Sequence, residues 1–123
     1  MSCNYYIHTN DMEMAFDLLP RVEMAEEARE FQIHLCQTVG GRKPLFEIHS
    51  YSNFKELANL LRDVKYNFII KDEYGNKMDV EEFIKYMIEC TSGCRSRVGT
   101  DDDPDHRIIV DDDGFEFMDC DFF

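Results

Sequence analysis

The sequence predicts one α+β domain spanning residues 1–123, with an antiparallel or mixed sheet and two or three helices packed mainly on one face. Three observations carry this expectation. Apolar residues recur at helical spacing in some segments and alternate in others. Turn chemistry at Gly40-Gly41, at Asp72-Glu73-Tyr74-Gly75-Asn76 and at Asp113-Gly114 separates the alternating segments. A length of 123 residues with 44% hydrophobic residues suits a single core, and no internal repeat divides it.

Residues 3–8 (CNYYIH) are rich in β-formers and read as a strand. Asn10 or Asp11 caps a following helix, and Asn10 with Glu13 matches a capping box. Met12, Ala15, Phe16 and Leu19 make its apolar stripe, which Pro20 ends. Residues 22–30 (VEMAEEARE) read as a second, acidic, solvated helix. In residues 31–36, Phe31, Ile33 and Leu35 alternate with Gln32, His34 and Cys36, so a half-buried strand is expected. Residues 37–43 form a turn and residues 45–49 a second strand, giving a hairpin.

Ser52 is the expected cap of the next helix, with Phe54, Leu57, Ala58 and Leu61 as its buried stripe. Residues 67–71 (NFIIK) read as a short buried strand. Asp79 with Glu82 makes a capping box before a helix that buries Val80, Phe83, Ile84, Met87 and Ile88. Residues 91–106 lack periodicity and read as a loop. Strands at 107–110 and 115–119 flank Asp111-Asp112-Asp113-Gly114, a hairpin signal.

Charge sharpens the functional reading. There are 26 acidic and 13 basic side chains, a net charge of −13. Residues 1–100 hold 16 acidic and 12 basic groups; the acidic loop and hairpin of residues 100–123 add ten acidic groups and one arginine. Phosphate backbones and anionic membranes repel such a protein, so direct nucleic-acid binding is disfavoured. No apolar run approaches the roughly 20 residues of a membrane span. The expected partner is a protein with a basic surface. Asp101, Asp102, Asp103, Asp105, Asp111, Asp112 and Asp113 then act as phosphate surrogates, against the plainer reading of a solvated loop. A calcium loop is not expected: placing Gly114 sixth puts Ile109 first and Cys120 twelfth, and placing Gly75 sixth puts Ile70 first.

Other groups offer weaker chemistry. Five cysteines without a secretory start predict free thiols in a reducing cytoplasm. Cys90 and Cys94, or His34 and His49 with His8 beside them, are the candidate metal ligands, although no second close pair completes a zinc site. An alternative small-ligand site, for a nucleotide-derived signal, uses Tyr5, Tyr6, His34, Gly40, Gly41, Arg42, Lys43, Asp72 and Tyr74 through ring stacking and turn N–H groups. No catalytic motif, phosphate loop or dinucleotide fingerprint is present, so neither an enzyme nor a cofactor is expected.

Several pieces together suggest kinship: Asn4-Tyr5-Tyr6, the run from His34 to Gly41, Pro44-Leu45-Phe46, Asp72-Glu73-Tyr74-Gly75, and Gly114 to Asp119. The chain resembles a family of small uncharacterised bacteriophage proteins with an NYY start, an HIGxSSGG-like hairpin and a DEYG turn. Here Thr38-Val39 stands in place of the serine pair, and Arg42 in place of an aromatic residue. The resemblance implies phage origin and the cytoplasm of an infected bacterial host. The expectation is therefore a phage-encoded accessory protein that inhibits a host defence or nucleic-acid-processing protein, as a monomer or small homo-oligomer.

Overall fold

β-Branched and aromatic residues at the start of the chain build an interior strand of the sheet, β1 (Ser2–Thr9). The computed structural model describes residues 2–11, 14, 23–25, 30–48, 51–64, 66–98 and 107–118. Its further strands are β2 (Glu23–Ala25), β3 (Glu30–Val39), β4 (Arg42–Glu47), β5 (Ile69–Asp72), β6 (Lys77–Met78), β7 (Ile108–Val110) and β8 (Glu116–Met118). Two helices occur among the described residues, α1 (Phe54–Arg62) and α2 (Val80–Thr91). Seven strands follow the order β6-β5-β1-β3-β4-β8-β7, and β2 pairs with β3. Neighbours are antiparallel except β4 and β8, which are parallel, so the sheet is mixed. The α+β class is as the sequence predicts. No helix among the described residues is long and apolar enough to cross a membrane.

The β1–β3 register explains how the core is filled. Ile7 faces Ile33, and Tyr6 faces His34, but Tyr5 faces Cys36, so Leu35 is an extra residue in a bulge. The bulge corrects the simple alternation expected for residues 31–36. Cys36 is wholly buried with its thiol 3.7 Å from Met87 Sδ of α2, on the side opposite His34. Phe46, the β4 partner of Cys36, stacks on Phe117 of β8 and meets Phe54 of α1 edge-on. Tyr5 meets Phe83 of α2 edge-on. Each fully buried side chain of this size contributes about 1.5–3 kcal/mol through apolar burial.

Several expected elements differ in place or kind. Glu23–Ala25 is a strand, not part of a helix, because the β3 edge at Glu30–Gln32 presents backbone groups that need partners. That pairing outweighs the local helix preference of the run. Near the first expected helix, Asp11 Oδ1 accepts from the Met14 N–H at 3.4 Å, and Met14 is wholly buried. The stripe of Met12, Ala15, Phe16 and Leu19 lies outside the described residues. Only Gly40 and Gly41 turn the β3–β4 hairpin, with Gly41 at φ 79°, so β4 starts three residues earlier than expected.

Asn53, not Ser52, caps α1: its Oδ1 accepts from the Glu56 N–H at 2.8 Å, and Glu56 reaches back to Ser52 and Asn53. The buried stripe of Phe54, Leu57, Ala58 and Leu61 is as expected. Asp79 caps α2 by accepting from the Glu81 N–H at 3.1 Å. Ile88 of α2 is exposed rather than buried, and β5 buries only Ile70.

Candidate functional site

The β7–β8 hairpin is moored to the body at its tip. Asp111 Oδ1 accepts from the backbone N–H groups of Asp113 and Phe115, at 3.0 and 2.8 Å. Its Oδ2 accepts from the N–H of Phe54, at 2.8 Å, on the first residue of α1. One carboxylate thus closes the turn and satisfies a free donor at a helix N-terminus, where negative charge is favoured. Lys43 Nζ donates to the Gly114 carbonyl at 3.2 Å. Phe115 stacks flat on Phe54, with ring centroids 3.9 Å apart and planes 5° from parallel.

The sequence grouped seven aspartates; the structure describes three of them, Asp111, Asp112 and Asp113, and gives these unlike surroundings. Asp111 is half-buried and spends its oxygens on three backbone donors. Asp112 and Asp113 are exposed on the moored turn. They border, with Ser52, Asn53 and Lys55, a shallow concavity of about 290 Å³. Asp101, Asp102, Asp103 and Asp105 lie outside the described residues.

The nine residues of the alternative ligand site do not converge. Tyr5 turns into the core while Tyr6 packs on His34, at 5.3 Å between centroids, on the other side of the sheet. Gly40, Gly41 and Arg42 line a cavity of about 250 Å³, whereas Lys43 is directed to Gly114. Asp72 closes the β5–β6 turn, accepting from the N–H groups of Tyr74 and Asn76 and from the Asn76 side chain. Partial desolvation opposes its ionisation, but the hydrogen bonds from Asn76, Tyr74 and Gly75 outweigh that and hold the carboxyl below its ordinary range. Tyr74 is exposed at that turn.

The glycine-turn cavity also brings Cys3 to the pair Cys90 and Cys94. Burial pushes the Cys3 and Cys90 thiols above their ordinary range, the opposite of what a reactive nucleophile needs. Among the described residues, no group of three or more His, Cys, Asp or Glu side chains is placed to hold a metal ion. His49 lies outside the described residues.

His34 is buried within a polar network. Its Nε2 faces Asn4 Oδ1 at 2.9 Å, and its Nδ1 faces Glu47 Oε1 at 3.2 Å. Asn4 in turn donates its backbone and side-chain N–H groups to Glu73. Both imidazole nitrogens therefore lie against side-chain oxygens of neighbouring strands. With 7% of its surface exposed, His34 serves its neighbours rather than an open ligand site.

Sequence reasoning missed a second buried polar centre. Arg97 is wholly buried; its guanidinium donates to the carbonyls of Lys43 and Gln37 and to Gln37 Oε1. Its backbone N–H donates to Glu116 Oε1 at 2.7 Å, and Ser96 Oγ donates to Glu116 Oε2. Glu116 inside the apolar run Phe115–Met118 was a legible sign of such a partner; Arg97, in an aperiodic segment, gave none. No protein-family model matches the chain, and none of the curated proteins or solved structures matches it either.

Proposed function

We propose that the chain is a non-enzymatic binding protein whose Asp-rich hairpin engages a basic, nucleic-acid-binding surface of another protein. On the family resemblance it is phage-encoded, acts in the cytoplasm of the infected host, and inhibits a defence nuclease, a CRISPR effector or the transcription machinery. The carrying observation is the concentration of ten acidic groups against one arginine in residues 101–123. Asp112 and Asp113 support it by standing exposed on a turn that is fixed to the body. Asp111 acts in this reading as the positioning residue, not as a contact.

Both helices cover one face of the sheet in this reading; Phe54 against Phe46 and Met87 against Cys36 support it. The hairpin at the sheet edge is then free to meet a partner, and its charge discourages strand pairing with other chains.

The test replaces Asp101, Asp102, Asp103, Asp105, Asp112 and Asp113 by Asn and keeps Asp111. Each exposed ion pair contributes about 0.2–1 kcal/mol, so the six changes together weaken partner binding roughly tenfold or more. Binding of the wild type to the partner retained from host cells also weakens as salt rises. Equal affinity of the two proteins, or no salt dependence, overturns the proposal.

A further inference from the structure

We propose that the groove between α1 and α2 binds a small apolar carboxylate. The groove encloses about 670 Å³, within the range of small-molecule sites. The stacked Phe54–Phe115 pair and Ala58 form its apolar floor, with Ile84 and Ile88 along the α2 side. Ile88 is 50% exposed, although it follows buried Ile84 by one helical turn. Its exposure is the open wall of this groove.

Two independent observations point to an anionic, apolar ligand. In a chain of net charge −13, the groove collects Lys43 and Lys55, together with Arg62 paired to Glu81, against one acid of its lining, Asp113. Thr91, also lining it, is only 8% exposed, and its hydroxyl has no hydrogen-bond partner among the described residues. A buried hydroxyl without a partner costs free energy that a ligand oxygen recovers. A turn about its Cα–Cβ bond exchanges that hydroxyl with the methyl group.

The geometry orients the ligand. Arg62 at the end of α1 holds Glu81 at the start of α2 through bonds of 2.8 and 2.9 Å. Its charge is spent there. Lys43, Lys55 and Thr91 gather at the other end. Lys43 uses one ammonium hydrogen on Gly114, and Lys55 has no hydrogen bond or ion pair among the described residues. A carboxylate seats at that end, and its apolar body runs over Ala58 and Ile88 toward Arg62. The span from Lys55 to Arg62 along α1 is about 10 Å, the reach of a short acyl chain. Asp113 on the same rim opposes a doubly charged head, which favours a carboxylate over a phosphate dianion.

Calorimetric titration of the intact chain with decanoate and with decanol tests this site. Decanoate binds saturably, one per chain, and decanol binds roughly tenfold more weakly because it lacks the charge. Lys55→Glu and Ile88→Ser change exposed side chains, so the fold is retained. Each weakens decanoate roughly fivefold or more, and only Ile88→Ser also weakens decanol. Thr91→Val weakens both probes, because each brings an oxygen to that hydroxyl, and unchanged binding of both in this variant overturns the proposal as well. Equal affinity for the two probes, unchanged decanoate binding in either exposed variant, or non-saturating uptake overturns the proposal. A ligand-free dimer that Ile88→Ser dissociates overturns it as well, because a second copy then covers the groove.

Discussion

Asp111, Asp112 and Asp113 are consecutive and chemically identical, yet their surroundings give them unlike roles. Three backbone N–H groups converge on Asp111. Asp111→Ala therefore strands a helix-terminal donor and opens the turn, at a cost of about 1–2 kcal/mol in urea unfolding. Asp112→Ala and Asp113→Ala, on the same assay, stay within about 0.5 kcal/mol of wild type. The Asp-Gly signal made the hairpin readable from the sequence, but nothing local distinguished its first aspartate from the next two. The distinction comes from Phe54, 57 residues earlier in the chain. Cys36 teaches a similar lesson: alternation put it beside His34, and the bulge at Leu35 moved it to the core.

Elements were most legible where their pattern served a helix. The stripe of α1 and the Asp79 cap of α2 follow from spacing and capping chemistry alone. Strand β2 was illegible because its residues favour a helix and only the open edge of β3 makes them extended. The irregular segment Ser92 to Val98 is held differently again. Arg95 bonds to both Gly41 and Lys43 through backbone groups, and Arg97 inserts its guanidinium between Gln37 and Lys43. Arg97→Met leaves buried carbonyls without donors and loosens this segment from β3 and β4. The expected loss is about 3 kcal/mol, read as a lower urea midpoint. A variant as stable as wild type would show that the segment is held by its backbone bonds alone.

For the molecule as a whole, the acidic excess is local, while the response to alkali is a property of the core. Burial pushes the Cys36 thiol and the Tyr5 and Tyr51 hydroxyls above their ordinary values of 9.0, 10.0 and 10.0. The folded chain keeps protons that the unfolded chain releases, so unfolding free energy falls with rising pH. The contribution of these three groups is full below pH 9.0, where the unfolded thiol is still protonated, and drops as pH passes that value and then 10.0. A melting temperature that is level to about pH 8.5 and falls by about pH 11 checks this. The parallel pairing of β4 with β8 has a further consequence, in time rather than in space. Phe46 must wait for Phe117, about 70 residues later in synthesis. At about 5–20 residues per second, the β4 edge stays open for several seconds on the ribosome. During that interval the nascent chain carries an unpaired strand beside exposed aromatic rings, the condition that favours aggregation until β8 arrives.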